Sequence, residues 1–326
     1  MKCKNRWSMM SVGLVAIFAL LVISGGAHAA YPERPVQIIC PWGAGGGTDQ
    51  VARTIGAILQ EDLGVPFNVV NRTGGSGAIG HMAGAKAQPD GYTLTIITIE
   101  LNMMHWMGMA EVTYKDFRPI GMVNYDPAAI WVAADSKWNK MEDLVNEIKA
   151  NPGKLRASGT GTGGIWHLSM AGWLAAMGLP PNAVTWVPST GAAEGLRELV
   201  GGGVDFAPCS LPEGMSLYSA GKIRGLAVMA DERIKAFPEI PTLKELGVDW
   251  SLGCWRGIAG PKGLPDDVVG VLEPALKRAV ESERFVNFMD QVGYGIIWIP
   301  SAEAVEFLEK DDEVMGNLMK ELGLAK

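Results

Sequence analysis

Short apolar runs alternate along this chain with segments whose apolar positions recur every three to four residues. Val36 to Cys40 reads as a buried strand followed by a glycine-rich turn. Thr48 to Gln60 then sets Val51, Ala52, Ile55, Ile58 and Leu59 on one helical stripe that Gly64 and Pro66 end. A second strand is predicted at Phe67 to Val70, a small-residue helix at Ile79 to Ala87, a turn at Pro89-Asp90-Gly91 and a strand at Thr93 to Ile99, completing a βαβαβ set. After Pro119 the pattern restarts, with strands near Ile120–Val123, Ala129–Ala133, Leu155–Ser158, Val184–Val187, Val204–Ala207 and Ile223–Met229. Helices are predicted at Met141 to Ala150, Ala192 to Val200, Asp266 to Val280 and, with an acidic solvated face, Ser301 to Leu322. This alternation predicts an α/β protein with two mainly parallel-cored sheets and helices on both faces. No low-complexity linker separates the halves. Two lobes joined by strand-like crossovers near Asn124–Pro127 and Ala227–Ala230 are therefore expected, with a ligand cleft between them. One lobe comprises residues 30–125 plus 229–326 and the other 126–228.

The first 30 residues follow a different pattern. Lys2, Lys4 and Arg6 precede an uncharged apolar run from Val12 to Ile23, and Ala27-His28-Ala29 supplies an A-x-A site. The run is shorter than the ~20 residues that span a bilayer, so residues 1–29 read as a signal peptide cleaved near Ala29 and the protein as exported to the periplasm. Its removal deletes three basic and no acidic residues, taking the net charge from −7 to 25 − 35 = −10. That balance argues against nonspecific nucleic-acid binding. The 326-residue length suits about two domains.

Three cysteines remain, Cys40, Cys209 and Cys254, widely spaced in apolar stretches and best read as small buried hydrophobes. The sequence holds no H-E-x-x-H, C-x-x-C, G-x-S-x-G or G-K-[ST] motif. Gly43-Ala44-Gly45-Gly46-Gly47 matches a dinucleotide-binding fingerprint only loosely, because its third glycine falls one place early. No catalytic residue, metal site or cofactor is assigned.

Three loops carry candidate chemistry. Each places glycines or small hydroxyl residues between a strand and a helix: Pro41 to Asp49, Ser158 to Gly164 leading into Ile165-Trp166-His167, and Pro188 to Ala192. A helix N-terminus there presents unpaired amides and the positive end of the helix dipole, and glycine allows close approach. An organic anion is the natural guest. Thr48 is the expected cap of the first helix and Asp49 a first-turn residue favoured by the dipole. Trp42 sits inside the glycine loop and is a candidate wall of the pocket. His167 reads as a structural histidine, a hydrogen-bond partner for an anion or a base. Glu100 reads as a solvated loop carboxylate or a contact to an amine or hydroxyl of the ligand.

The opening Tyr31-Pro32-Glu33-Arg34-Pro35-Val36, the P-W-G-A-G-G-G-T-D loop and Asn71 to Gly80 resemble the TctC/Bug family, extracytoplasmic solute receptors of tripartite tricarboxylate transporters. So do Pro89-Asp90-Gly91-Tyr92-Thr93-Leu94, Asp116-Phe117-Arg118-Pro119-Ile120, Gly203-Val204-Asp205-Phe206, Ala220 to Ala227 and Pro238-Glu239-Ile240-Pro241-Thr242, in the family's order across the mature chain. The resemblance implies a two-lobed periplasmic-binding-protein fold, type II-like, that closes over a small organic carboxylate. It assigns the carboxylate to Ala44, Gly45, Gly46 and Thr48 in one lobe and to Thr160, Gly161, Thr162, Gly163, Thr190, Gly191 and Ala192 in the other. Asp205 matches a family aspartate near the cleft. The sequence departs from the commoner pattern at Trp42 and Gly43-Ala44, and at Ser189 and Thr190 where an aromatic and a lysine are frequent, which leaves the group that meets the far end of the ligand open.

The reading that follows is a monomeric binding protein that passes its ligand to the membrane permease subunits of such a transporter. Two alternatives stand beside it, an exported α/β enzyme acting on a small anion and a receptor feeding a sensor kinase.

Overall fold

A computed structural model describes residues 31–326; the expected signal peptide and its cleavage site lie outside the described residues. Tyr31–Glu33 carry no helix or strand, and the body of the protein is Arg34–Lys326.

The strand β1 (Val36–Cys40) is almost wholly buried, as its unbroken apolar run requires. It leads into α1 (Gly47–Leu63), whose predicted stripe of Val51, Ala52, Ile55, Ile58 and Leu59 is the buried face. Next come β2 (Phe67–Asn71), α2 (Ala78–Ala85) and β3 (Thr93–Thr98), and then the seventeen-residue β4 (Phe117–Ala133). Beyond it lie α3 (Met141–Ala150), β5 (Arg156–Ala157), α4 (Ile165–Ala176), β6 (Thr185–Trp186), α5 (Ala192–Val200), β7 (Phe206–Ser210), α6 (Leu211–Ser219) and β8 (Ile223–Val228). An irregular stretch returns the chain to β9 (Gly253–Pro261), and α7 (Asp266–Glu281), α8 (Glu283–Val292), β10 (Ile296–Pro300) and α9 (Ser301–Glu321) complete it. Among the described residues, no helix is long and apolar enough to cross a membrane.

The strand order is β2-β1-β3-β9-β4-β7-β5-β6, with β10 and β8 also paired to β4. The pairings of β1 with β2 and β3, and of β5 with β6 and β7, are parallel. Between these two parallel groups the sheet is antiparallel, through β3–β9, β9–β4 and β4–β7. The strand β4 is the common member. Its residues Phe117–Pro127 pair with β9, and Ala128–Ala133 pair with β7 and β8.

The first expected strand-like crossover, Asn124–Pro127, lies within β4, which runs through it as one strand and changes partners at Pro127. Proline cannot donate to a ladder, so Pro119 and Pro127 disguise the strand in sequence, and the register with β9 shifts just after Pro119. Three glycines hide β9 in the same way, by lowering its strand propensity. The second expected crossover, Ala227–Ala230, holds the end of β8 and the amide of Met229, which donates to the Ala128 carbonyl at 2.7 Å.

Candidate ligand-binding cleft

The three glycine-bearing loops follow the carboxyl ends of β1, β5 and β6, which are parallel strands, and each opens a helix. Open α/β sheets bind ligands at such strand ends. Gly45 turns the first loop with φ +80°, a left-handed conformation that a side chain would strain.

The loops converge. A cavity of about 20 Å³, room for about one water, is lined by Trp42, Gly46 and Thr48, by Thr160, Ile165 and Trp166, and by Gly191 and Ala192. Thr48, Trp166 and Ala192 lie in the first turns of α1, α4 and α5, where amides have no acceptor inside the helix. The Thr160 hydroxyl, on a residue 3% exposed, has no hydrogen-bond partner. Outside this cavity, across Trp42, lies a chamber of about 410 Å³ lined by Gly74–Gly77, Met109, Gly161, Thr162, Pro188, Ser189, Thr190 and Glu194.

Glu100, Glu213 and Arg256 also line the inner cavity and belong to a buried charge cluster. Arg256 of β9, 1% exposed, donates from Nη1 to Asp126 and Asn124 and from Nε to the Thr48 hydroxyl at 2.9 Å, and lies 3.8 Å from Glu213. Burying a carboxylate is costly unless its oxygens find partners, and each one here is hydrogen-bonded. Asp126 accepts the Gly295 amide at 3.0 Å, and Glu213 accepts the Ser210 amide at 3.2 Å and the Gly47 amide at 3.1 Å. Glu100 accepts the Ile165 amide at 3.0 Å and the Thr98 hydroxyl at 2.5 Å, and that hydroxyl accepts the Trp42 indole N–H at 3.2 Å. Burial pushes the carboxyls of Glu100, Asp126 and Glu213 above their ordinary values. Two helix-end amides at these loops, those of Gly47 and Ile165, are thus capped by the protein's own carboxylates. This corrects the reading of Glu100 as a solvated loop residue.

The structure separates the other expected site residues. Trp42, Gly46, Thr48, Thr160, Gly191 and Ala192 line the inner cavity, and Gly161, Thr162 and Thr190 line the outer chamber with Trp42. Five others line neither. Ala44 and Gly45 face solvent at the tip of their turn, and the Gly45 amide donates to Asp49 at 2.9 Å. The Gly163 amide donates to Nδ1 of His167 at 3.1 Å, and His167 packs on Trp186 with ring centroids 4.9 Å apart. His167 therefore fastens its own loop, and burial pushes its pKa down to about 4. Asp205 accepts the Arg156 amide at 2.7 Å at the start of β5 and lines neither chamber. Asp49 is locked by the Arg53 guanidinium and by Asn71 at 2.8 Å. Burial works to raise its carboxyl, and these bonds with that of Gly45 outweigh it and hold it low. Cys40, Cys209 and Cys254 are free and buried.

Sequence reasoning missed Glu213 and Arg256. A signal existed for each. Ser210-Leu211-Pro212-Glu213 is a capping box, realised at the start of α6, and Arg256 is the one charged residue in an apolar strand, where burial demands partners. That both meet at α1 depends on long-range topology.

The fold and these converging helix ends define a solute-binding scaffold of the two-domain periplasmic type. The model for the "Tripartite tricarboxylate transporter family receptor" matches residues 51–324, and the chain belongs to that family. A UPF0065 protein of Bordetella pertussis is 32% identical over 320 residues, 95% of this chain and 96% of that one. Among solved structures, periplasmic binding protein BugD is 28% identical with a TM-score of 0.86, covering 91% of this chain and 100% of its own. Rpa4515 of R. palustris, solved with adipate, is 28% identical with a TM-score of 0.85, covering 90% and 99%. A TctC solute-binding protein from Polaromonas, solved with no ligand, is 34% identical with a TM-score of 0.64, covering 90% and 100%.

Proposed function

We propose that this protein is an exported, monomeric, periplasmic receptor. It captures a small organic carboxylate between two lobes, 30–125 with 229–326 and 126–228, and delivers it to the permease of a tripartite tricarboxylate-type transporter without transforming it. The observation that carries this reading is the meeting of three helix N-termini and the unpartnered Thr160 hydroxyl at one cavity, which shares the Trp42 wall with a chamber of about 410 Å³. The adipate held by the Rpa4515 relative supports a carboxylate as the guest.

Chemically, the first-turn amides of α1, α4 and α5 that the protein's own carboxylates leave open replace the water around one carboxylate. Hydrogen bonds to a charged group contribute about 1.5–3 kcal/mol each, so three or four supply roughly 5–12 kcal/mol against an association cost of about 4 kcal/mol or more, and micromolar affinity also draws on contacts to the rest of the ligand. Arg256 is paired with Asp126 and flanked by Glu213, and Glu100 is held by the Thr98 hydroxyl and the Ile165 amide, which favours positioning over proton transfer. The overall negative charge acts at long range and is screened by salt, whereas the helix ends act at contact.

Native mass spectrometry of the purified protein for a carried-over ligand, followed by calorimetry against mono-, di- and tricarboxylates, amino acids and aromatic acids, tests the reading. Stoichiometric binding of a carboxylate without turnover is expected. Binding of none of them, or conversion of a bound acid, would overturn it.

A further inference from the structure

Both chambers are poor in available positive charge. In the inner one the single cation is Arg256, already committed to Asp126, Asn124 and Thr48 and flanked by Glu213. Among the described residues, the outer chamber is lined by no lysine, arginine or histidine, and its one ionisable side chain is Glu194. One oxygen of Glu194 accepts the Thr190 amide at 2.6 Å and the Thr190 hydroxyl at 2.7 Å. Those two bonds fix the carboxylate in place and keep it ionised at neutral pH.

The remaining outer surface is apolar or neutral. The Trp42 indole, the Met109 thioether and Pro188 supply its hydrophobic area, and Ser76 has already donated its hydroxyl to the Thr162 carbonyl at 2.7 Å. Glu194 is half-buried on the same wall. A ligand with one carboxylate on the helix ends would have its far end in this chamber. A second carboxylate there would lose hydration, meet no cation and face the fixed charge of Glu194, while an uncharged apolar or aromatic end would cover Trp42 and Met109.

We infer that the receptor selects monocarboxylates whose far end is uncharged and apolar or aromatic, and that Glu194 rejects a second carboxylate. The inference rests on the receptor reading above and narrows it from carboxylates in general to this class. Rejection by a fixed like charge is a recognised route to specificity, because discrimination requires a penalty against the wrong guest as well as contacts to the right one.

The decisive comparison holds chain length constant. Calorimetry at pH 7.5 with adipate, monomethyl adipate, hexanoate and phenylacetate should give monomethyl adipate an affinity at least tenfold above that of adipate, with phenylacetate or hexanoate also ahead of adipate. In Glu194→Gln, whose side-chain oxygen still accepts from Thr190, the ratio of monomethyl adipate to adipate should fall at least threefold. Adipate binding as tightly as its monoester would overturn the inference and leave the carboxylate receptor intact. A ratio unchanged in Glu194→Gln would remove the role given to that residue. Absence of binding by every acid in the broader panel would bring down the receptor reading and the inference with it.

Discussion

His167 shows how one residue's chemistry is redirected by its neighbours. In sequence it sits where an anion-binding or basic imidazole would sit, yet its Nδ1 accepts the Gly163 amide and its ring lies against Trp186. Burial takes its pKa from 6.5 down to about 4. The unfolded chain gains a proton near pH 6.5 that the folded one refuses until about pH 4. The neutral imidazole's contribution is therefore complete above pH 6.5 and lost on acidification, by up to about 3 kcal/mol. Asp311 runs the other way. It accepts the Trp255 indole N–H and the Asn102 amide, both at 2.9 Å, and burial raises its pKa from 3.8 to about 6. Its contribution is complete below pH 3.8 and is lost as pH rises through 6, again by about 3 kcal/mol. Urea unfolding from pH 4 to 7.5 separates the two. His167→Asn keeps an acceptor for Gly163 and should flatten the acid limb. Asp311→Asn keeps an acceptor for Trp255 and should gain on the wild type as pH rises from 4 to 6.5. Curves parallel to the wild type in both variants would mean that neither group titrates differently on folding.

At the scale of elements, the periodic helices were legible and the strands that join the two parallel groups were not. The stripe of α1 and the span of α9 follow directly from apolar spacing, whereas β9 and the middle of β4 are masked by glycine and proline. The site divides similarly. A glycine loop before a helix points to an anion-binding end, which is why Gly46, Thr48, Thr160 and Gly191 stood out in the sequence, and the structure brings these four to one cavity. Which amides stay open depends on side chains far away in sequence, such as Glu213 reaching Gly47 across 166 positions. Gly47 is the sharpest expression of this. A Cβ there would stand 2.9 Å from both Arg256 Nη2 and Glu213 Oε1. Gly47→Ala should therefore cost about 1–3 kcal/mol of stability by overpacking and weaken ligand binding at least tenfold by displacing the buried pair that lines the cavity. Gly270→Ala, in α7 with nothing within 4 Å of the added Cβ, should stabilise by about 0.5–1 kcal/mol and leave binding as it was. Urea titration and calorimetry on both variants read these opposite signs, and a Gly47→Ala protein of full stability and affinity would refute the close packing at α1.

At the scale of the whole molecule, four hydrogen bonds tie elements on the β1 side of β4 to elements on the β5 side: Gly43 to Thr190 at 3.1 Å, Gly47 to Glu213 at 3.1 Å, Ile165 to Glu100 at 3.0 Å and Ser76 to Thr162 at 2.7 Å. If the two lobes proposed above part to admit ligand, these bonds break together while β4 and the return segment before β9 flex, a hinge motion. A crosslink can test it directly. A Cβ built on Gly43 lies 3.8 Å from that of Thr190, the mean spacing of a disulfide, about 3.8 Å. The three native cysteines are buried, and burial raises the Cys40 thiol to about 12, so they are poor competitors for oxidation. Oxidising the double variant Gly43→Cys with Thr190→Cys before adding ligand should slow ligand uptake at least a hundredfold. Oxidising it after loading should trap the ligand through dialysis, and reduction should restore exchange in both samples. Equal exchange rates in the oxidised and reduced forms would show that ligand enters and leaves without the lobes parting, and the two-lobed closure would have to be abandoned.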